Sequence, residues 1–78
     1  MRVRIIPYAE MRRRLIAGEG DSLWLELPDD ARVLDALRGL RVEIPDQLIV
    51  GLDGEYATRE TPLHDGAEIV LVTPMEGG

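Results

Sequence analysis

The sequence predicts an α+β fold, a mixed sheet of four or five strands with one main helix and one short helix. Three observations carry this. Apolar residues alternate with period two over residues 2–8 and 22–27, the pattern of strands covered on one face. Val33, Leu34, Leu37 and Leu40 recur at helical spacing. Ile69-Val70-Leu71-Val72 is an unbroken apolar run within residues 67–73, which is apolar on both faces, as in a strand in the middle of a sheet.

Each element follows from its own residues. In residues 2–8, Val3 and Ile5 share one face while Arg2, Arg4 and Ile6 share the other. Pro7 cannot donate to a ladder, so it ends the strand or sits at an unpaired position. Residues 9–17 set Met11 and Leu15 four apart beside Ile16 and turn Arg12, Arg13 and Arg14 outward, which predicts a short helix closed by Gly18. The three arginines read as a solvated face. Residues 22–27 place Leu23, Leu25 and Leu27 opposite Ser22, Trp24 and Glu26. Pro28-Asp29-Asp30 reads as the start of the main helix, its acids near the positive end of the dipole, and that helix ends near Gly39 or Leu40.

After Pro45, Leu48-Ile49-Val50 is a short strand, and Asp53-Gly54 is a two-residue turn into Glu55-Tyr56-Ala57. Residues 61–66 form a loop before the last strand. Pro74 biases Thr73 toward extended geometry and releases the chain from the sheet. Pairing the apolar first and last strands in parallel at the sheet centre, with the longer helix across one face, gives a β-grasp arrangement. The division is a β-grasp domain over residues 1–74 and an extended tail over 75–78 ending in Gly77-Gly78.

Composition narrows the function classes. At 78 residues there is room for one domain, and 45% hydrophobic against 31% charged residues is a globular balance. The net charge of -6, from 15 acids and 9 bases, opposes a nucleic-acid backbone or an anionic membrane surface and favours a partner with a basic groove. All nine bases are arginine, and cysteine is absent, which removes disulfides, thiolate chemistry and cysteine metal sites. No signal peptide or membrane span is legible, so a cytoplasmic location is expected.

No catalytic constellation appears. His64, the one histidine, lies in the turn Pro62-Leu63-His64-Asp65-Gly66 and reads as a loop residue rather than a general base. Ser22 is mid-strand without a base, the glycines form no phosphate loop, and no metal site is expected. What remains is the end of the chain. A carboxylate is a poor electrophile until it is activated, and activation requires the last residues to enter a partner's site in extended form. Glycine, without a Cβ, suits a narrow channel. Gly78 is therefore the candidate reactive group, with Gly77, Glu76, Met75 and Pro74 giving it access.

Residues 61–71 and Pro74-Met75-Glu76-Gly77-Gly78 together resemble the ubiquitin-like sulfur carriers of the MoaD/ThiS type, and the likeness spans nearly the whole chain. A proline three residues before the glycine pair is more like the small subunit of molybdopterin synthase than the thiamine-pathway carrier. The resemblance implies that an E1-like adenylyltransferase, using ATP, activates Gly78. A sulfur donor then forms a thiocarboxylate, and the large subunit of molybdopterin synthase accepts the tail. It implies a carrier that binds no cofactor and has no catalytic residues of its own. Asp53 stands where many relatives have asparagine, and Arg32 where a threonine or serine helix cap is common. A carrier for thiamine or another sulfur-containing product, a conjugating modifier and a non-covalent β-grasp binding module remain open alternatives.

Alternation also predicts a docking surface. If Val3, Ile5, Leu23, Leu25, Leu48, Val50, Ile69 and Leu71 face the helix, then Ile6, Trp24, Ile49, Val70 and Val72 form the opposite, partner-binding face.

Overall fold

In the computed structural model, which describes residues 1–74, the chain runs β1 (Arg2–Pro7), α1 (Ala9–Leu15), β2 (Leu23–Glu26), α2 (Val33–Gly39), β3 (Ile49–Leu52), β4 (Glu55–Ala57) and β5 (Glu68–Val72). The strands form one sheet in the order β2-β1-β5-β3-β4. β1 and β5 are parallel, with Ile5 opposite Ile69 and Ile6 opposite Val70, and the other pairings are antiparallel. The two most apolar strands thus lie at the centre, as their sequences dictate, and the fold is an open ubiquitin-like β-grasp.

The alternation sorts the side chains as expected. Val3, Ile5, Val50, Ile69 and Leu71 are buried with Val33, Ala36 and Leu37 of α2 and Met11 of α1. Leu23, Leu25 and Leu48 are half-buried against that core. Pro7 is the last residue of β1, and the next N–H, that of Tyr8, continues the ladder by donating to Leu71 O at 2.9 Å.

Three boundaries differ from expectation by more than one residue. Helix α1 stops at Leu15, three residues short of Gly18, because Ile16 is already extended (φ -119°, ψ 116°) while its N–H closes on Arg12 O. Helix α2 begins at Val33 rather than beside Pro28-Asp29-Asp30. Asp29 and Asp30 lie in a turn, and the acid of the first helical turn is Asp35. The strand around Ile49 runs on to Leu52, since the turn after it is tight.

That turn and the start of α2 hold Asp53 and Arg32, the two residues at which the sequence departs from the resemblance. Asp53 and Gly54 both have positive φ (50° and 89°), as a type I′ turn demands. The Asp53 carboxylate accepts the Glu68 N–H at 3.0 Å through one oxygen and meets the His64 ring through the other. At α2, Arg32 offers no side-chain cap. The first amides are instead satisfied by distant carbonyls, Val33 N–H to Thr61 O (3.0 Å) and Leu34 N–H to Arg59 O (2.9 Å), while Asp35 accepts the Arg32 N–H at 2.8 Å.

Candidate interaction face and tail exit

Among the described residues, no helix covers the face of the sheet away from α2, and cross-strand register shows how its side chains meet. Tyr56 stands opposite Gly51, Gly51 opposite Val70, and Val70 opposite Ile6, so these four form one row across β4, β3, β5 and β1. Ile49 and Val72 are the next pair toward the end of β5. A shallow depression lies among Ile49, Gly51, Tyr56, Val70 and Val72, with Glu55 at its rim. It exists because Gly51 has no side chain: a Cβ there would stand 3.6 Å from that of Val70, within the hollow. Tyr56, 90% exposed, forms one wall.

Of the five residues expected on this face, Ile6, Ile49, Val70 and Val72 are adjacent in the ladder. Trp24 shares the face but stands apart from them. On edge strand β2 it lies opposite Arg4, which has Glu68 on its other side, and the Arg2 guanidinium stacks 4.4 Å from its ring centroid. Trp24 is half exposed, yet it belongs to a charged end of the sheet rather than to the apolar cluster. Tyr56 and Gly51 were not singled out by the sequence reading, although the register set by Asp53-Gly54 places them opposite each other.

The exit of the chain adjoins this apolar cluster. β5 is paired as far as Val72, opposite Ile49, and Thr73 and Pro74 follow outside the strand. Met75, Glu76, Gly77 and Gly78 lie outside the described residues.

The chemistry available among the described residues is sparse. No group of three His, Asp or Glu side chains among them could hold a metal ion. No helix among them is long and apolar enough to cross a membrane. His64 is tied up at the opposite end of β5 from the exit. Its Nε2 meets the Asp53 carboxylate, and its Nδ1 lies 3.0 Å from the Asp65 carbonyl. With an acceptor at each ring nitrogen the imidazolium is favoured, and the His64 pKa is raised, chiefly by the Asp53 bond. The Asp53 carboxyl is held below its ordinary value, first by the Glu68 N–H and then by His64.

Comparison with known proteins accords with this architecture. The model of the ThiS family matches residues 12–78. SAMP1, the small archaeal modifier protein 1 of Haloferax volcanii, superposes with a TM-score of 0.82 at 24% identity, covering 100% of both chains. A protein assigned as molybdopterin converting factor, subunit 1, from Pyrococcus furiosus gives 0.75 at 23% identity, covering 95% of this chain and 98% of that one. A ubiquitin-like protein from Caldiarchaeum subterraneum gives 0.56 at 22%, covering 99% and 100%. No curated protein matches.

Proposed function

The chain belongs to the ThiS family, and on that footing we propose that it is a sulfur carrier whose C-terminal glycine, Gly78, is adenylated and converted to a thiocarboxylate. The observation that carries this reading is the position of β5. The strand preceding the glycine pair is held between β1 and β3 as far as Leu71 and by β3 as far as Val72, and the chain then leaves the sheet through Thr73 and Pro74 beside an uncovered apolar cluster.

The chemistry divides between carrier and partner. An ionised α-carboxylate resists nucleophiles, so an E1-like adenylyltransferase must first join a Gly78 oxygen to the α-phosphorus of ATP, releasing pyrophosphate. A sulfur nucleophile then attacks the acyl carbon, and AMP departs with the bonding pair. The carrier's own part is positional. Its buried core holds β5 still, the face around Ile6, Ile49, Val70 and Val72 docks on the partner, and Pro74, Met75, Glu76 and Gly77 lead Gly78 into the active site. No cofactor needs to bind this chain, and no side chain of it acts as acid, base or nucleophile.

For the final acceptor, the proline three residues before the glycine pair supports a pterin precursor, with the chain as small subunit of molybdopterin synthase beside a large catalytic subunit. The likeness to the Pyrococcus furiosus protein is in keeping with this branch. The same activated end could conjugate to amines of other proteins, a reading favoured by the likeness to a protein named as a modifier. Deleting Gly78 tests what these readings share. The shortened chain is expected to keep the wild-type melting temperature and circular dichroism while losing all sulfur transfer to the partner. Retained transfer would exclude Gly78 as the carrier group.

A further inference from the structure

Each edge strand of the sheet carries an exposed aromatic residue, Trp24 on β2 and Tyr56 on β4, and the space beside the two is filled differently. Beside Trp24 the chain places its own arginine. The Arg2 guanidinium lies 4.4 Å from the ring centroid, and its Nε stands 3.7 Å from the Glu26 carboxylate, so ring, cation and acid form one unit. Beside Tyr56 the neighbouring strand offers Gly51, and the corresponding space is the hollow between Tyr56 and Val70.

This hollow has the width of one unbranched side chain. Tyr56 and Val70 stand on the strands either side of β3, about 10 Å apart at the usual strand spacing, and a methylene chain between them needs about 4 Å to each. Ile49 and Val72 line the end near the tail exit. The other end is acidic. Glu68, exposed and two residues before Val70 on the same face, lies diagonally across from Gly51, a separation of about 7–8 Å that long side chains span. Arg4 is the register partner of Glu68 on β1, but its Nε donates to Ser22 Oγ at 2.9 Å, on the side of β2. The Asp53 carboxylate is engaged by the Glu68 N–H and the His64 ring, which leaves Glu68 as the acid beside the hollow. An apolar slot with an aromatic wall and a carboxylate at one end suits arginine. The stem fills the slot, the planar guanidinium lies against the ring, and its forked donors reach the acid.

From these observations, and resting on the reading that this face docks on the activating partner, we propose that the hollow receives an arginine side chain of that partner. Its stem lies over Gly51 between Tyr56 and Val70, and its guanidinium meets Glu68 and the Tyr56 ring. The arginine does from outside what Arg2 does beside Trp24 within the chain. The net charge of -6 draws a basic surface in from a distance, and the hollow fixes where on the face it lands. One seated arginine thereby sets the end of β5 relative to the partner, as an entering tail requires.

Two measurements test this. In the first, the isotope-labelled chain is titrated by NMR with N-acetyl-arginine amide and, separately, with N-acetyl-norleucine amide, an unbranched stem without the charge. The arginine compound is expected to shift the amides of Gly51, Tyr56 and Glu68 and to bind about fivefold more tightly than the norleucine compound, as one exposed ion pair provides. Glu68→Gln should remove that difference, and Gly51→Val, a residue that suits a strand, should remove binding of both by filling the slot. Asp30→Asn, the same change of net charge in the exposed turn before α2, should alter neither. Equal affinity of wild type for the two compounds, or no shift at these amides, overturns the proposal. In the second, adenylation by an E1-like enzyme and ATP is followed by pyrophosphate release. Glu68→Gln is expected to raise the KM for the chain about fivefold with kcat unchanged, since a contact remote from the reacting carboxyl group holds ground and transition states alike. An unchanged KM overturns the proposal. Failure of wild type to be adenylated would instead count against the carrier reading, while the titration still decides whether the hollow takes arginine.

Discussion

Among individual residues, Asp53 and His64 show how one turn is fastened to the strand that bears the tail. Asp53 reaches the first amide of β5 and, through His64, the loop before it, so the β3–β4 turn and the 64–68 segment act as one unit. The pH dependence follows from the two shifts. The raised His64 pKa gives a contribution fully present below its ordinary 6.5 and lost as pH rises through the folded value. The lowered Asp53 pKa gives one present above 3.8 and lost as pH falls through its folded value. Between those ordinary values the fastening is complete. Thermal melts at pH 6 and pH 9 should therefore show a larger drop for wild type than for His64→Gln, and equal drops would refute the role of the pair. None of this was legible in the sequence. A histidine eleven residues from an aspartate carries no pattern until tertiary structure joins them.

Elements were more legible than their ends. The strands announced themselves because each has one covered face, and a period of two in β1 and β2 has no helical reading. The start of α2 was misplaced because local chemistry at Pro28-Asp29-Asp30 mimics a helix N-terminus, whereas the amides of Val33 and Leu34 are satisfied by the carbonyls of Thr61 and Arg59, far along the chain. In that setting Asp35 is the local residue that holds the helix start. Asp35→Ala is expected to cost about 1 kcal/mol in urea unfolding, the usual value for a capping interaction. An unchanged midpoint would mean that the long-range carbonyls suffice alone. That Ile6, Ile49, Val70 and Val72 share one side of the sheet was legible, because alternation fixes sides. Which residues join or leave that cluster was not, because Tyr56 gains its place from strand register, and Trp24 is set apart by Arg2 and Arg4.

Taken as a whole, the molecule separates a packed half from an uncovered sheet face beside the end of β5. The core between α2 and the sheet is closed, with no buried polar or charged residue among the described ones. The opposite face leaves Ile49 exposed beside β5, the strand that precedes the tail, and Tyr56 exposed one strand farther out. For the proposed carrier role such a body needs only rigidity and a surface by which a partner can orient the terminus. Intact mass spectrometry of the full chain after incubation with an E1-like enzyme, ATP and sulfide tests that claim most directly. The account predicts a mass gain equal to one oxygen replaced by one sulfur, located at Gly78 by fragmentation. An unchanged mass with an enzyme that activates a control carrier would contradict it.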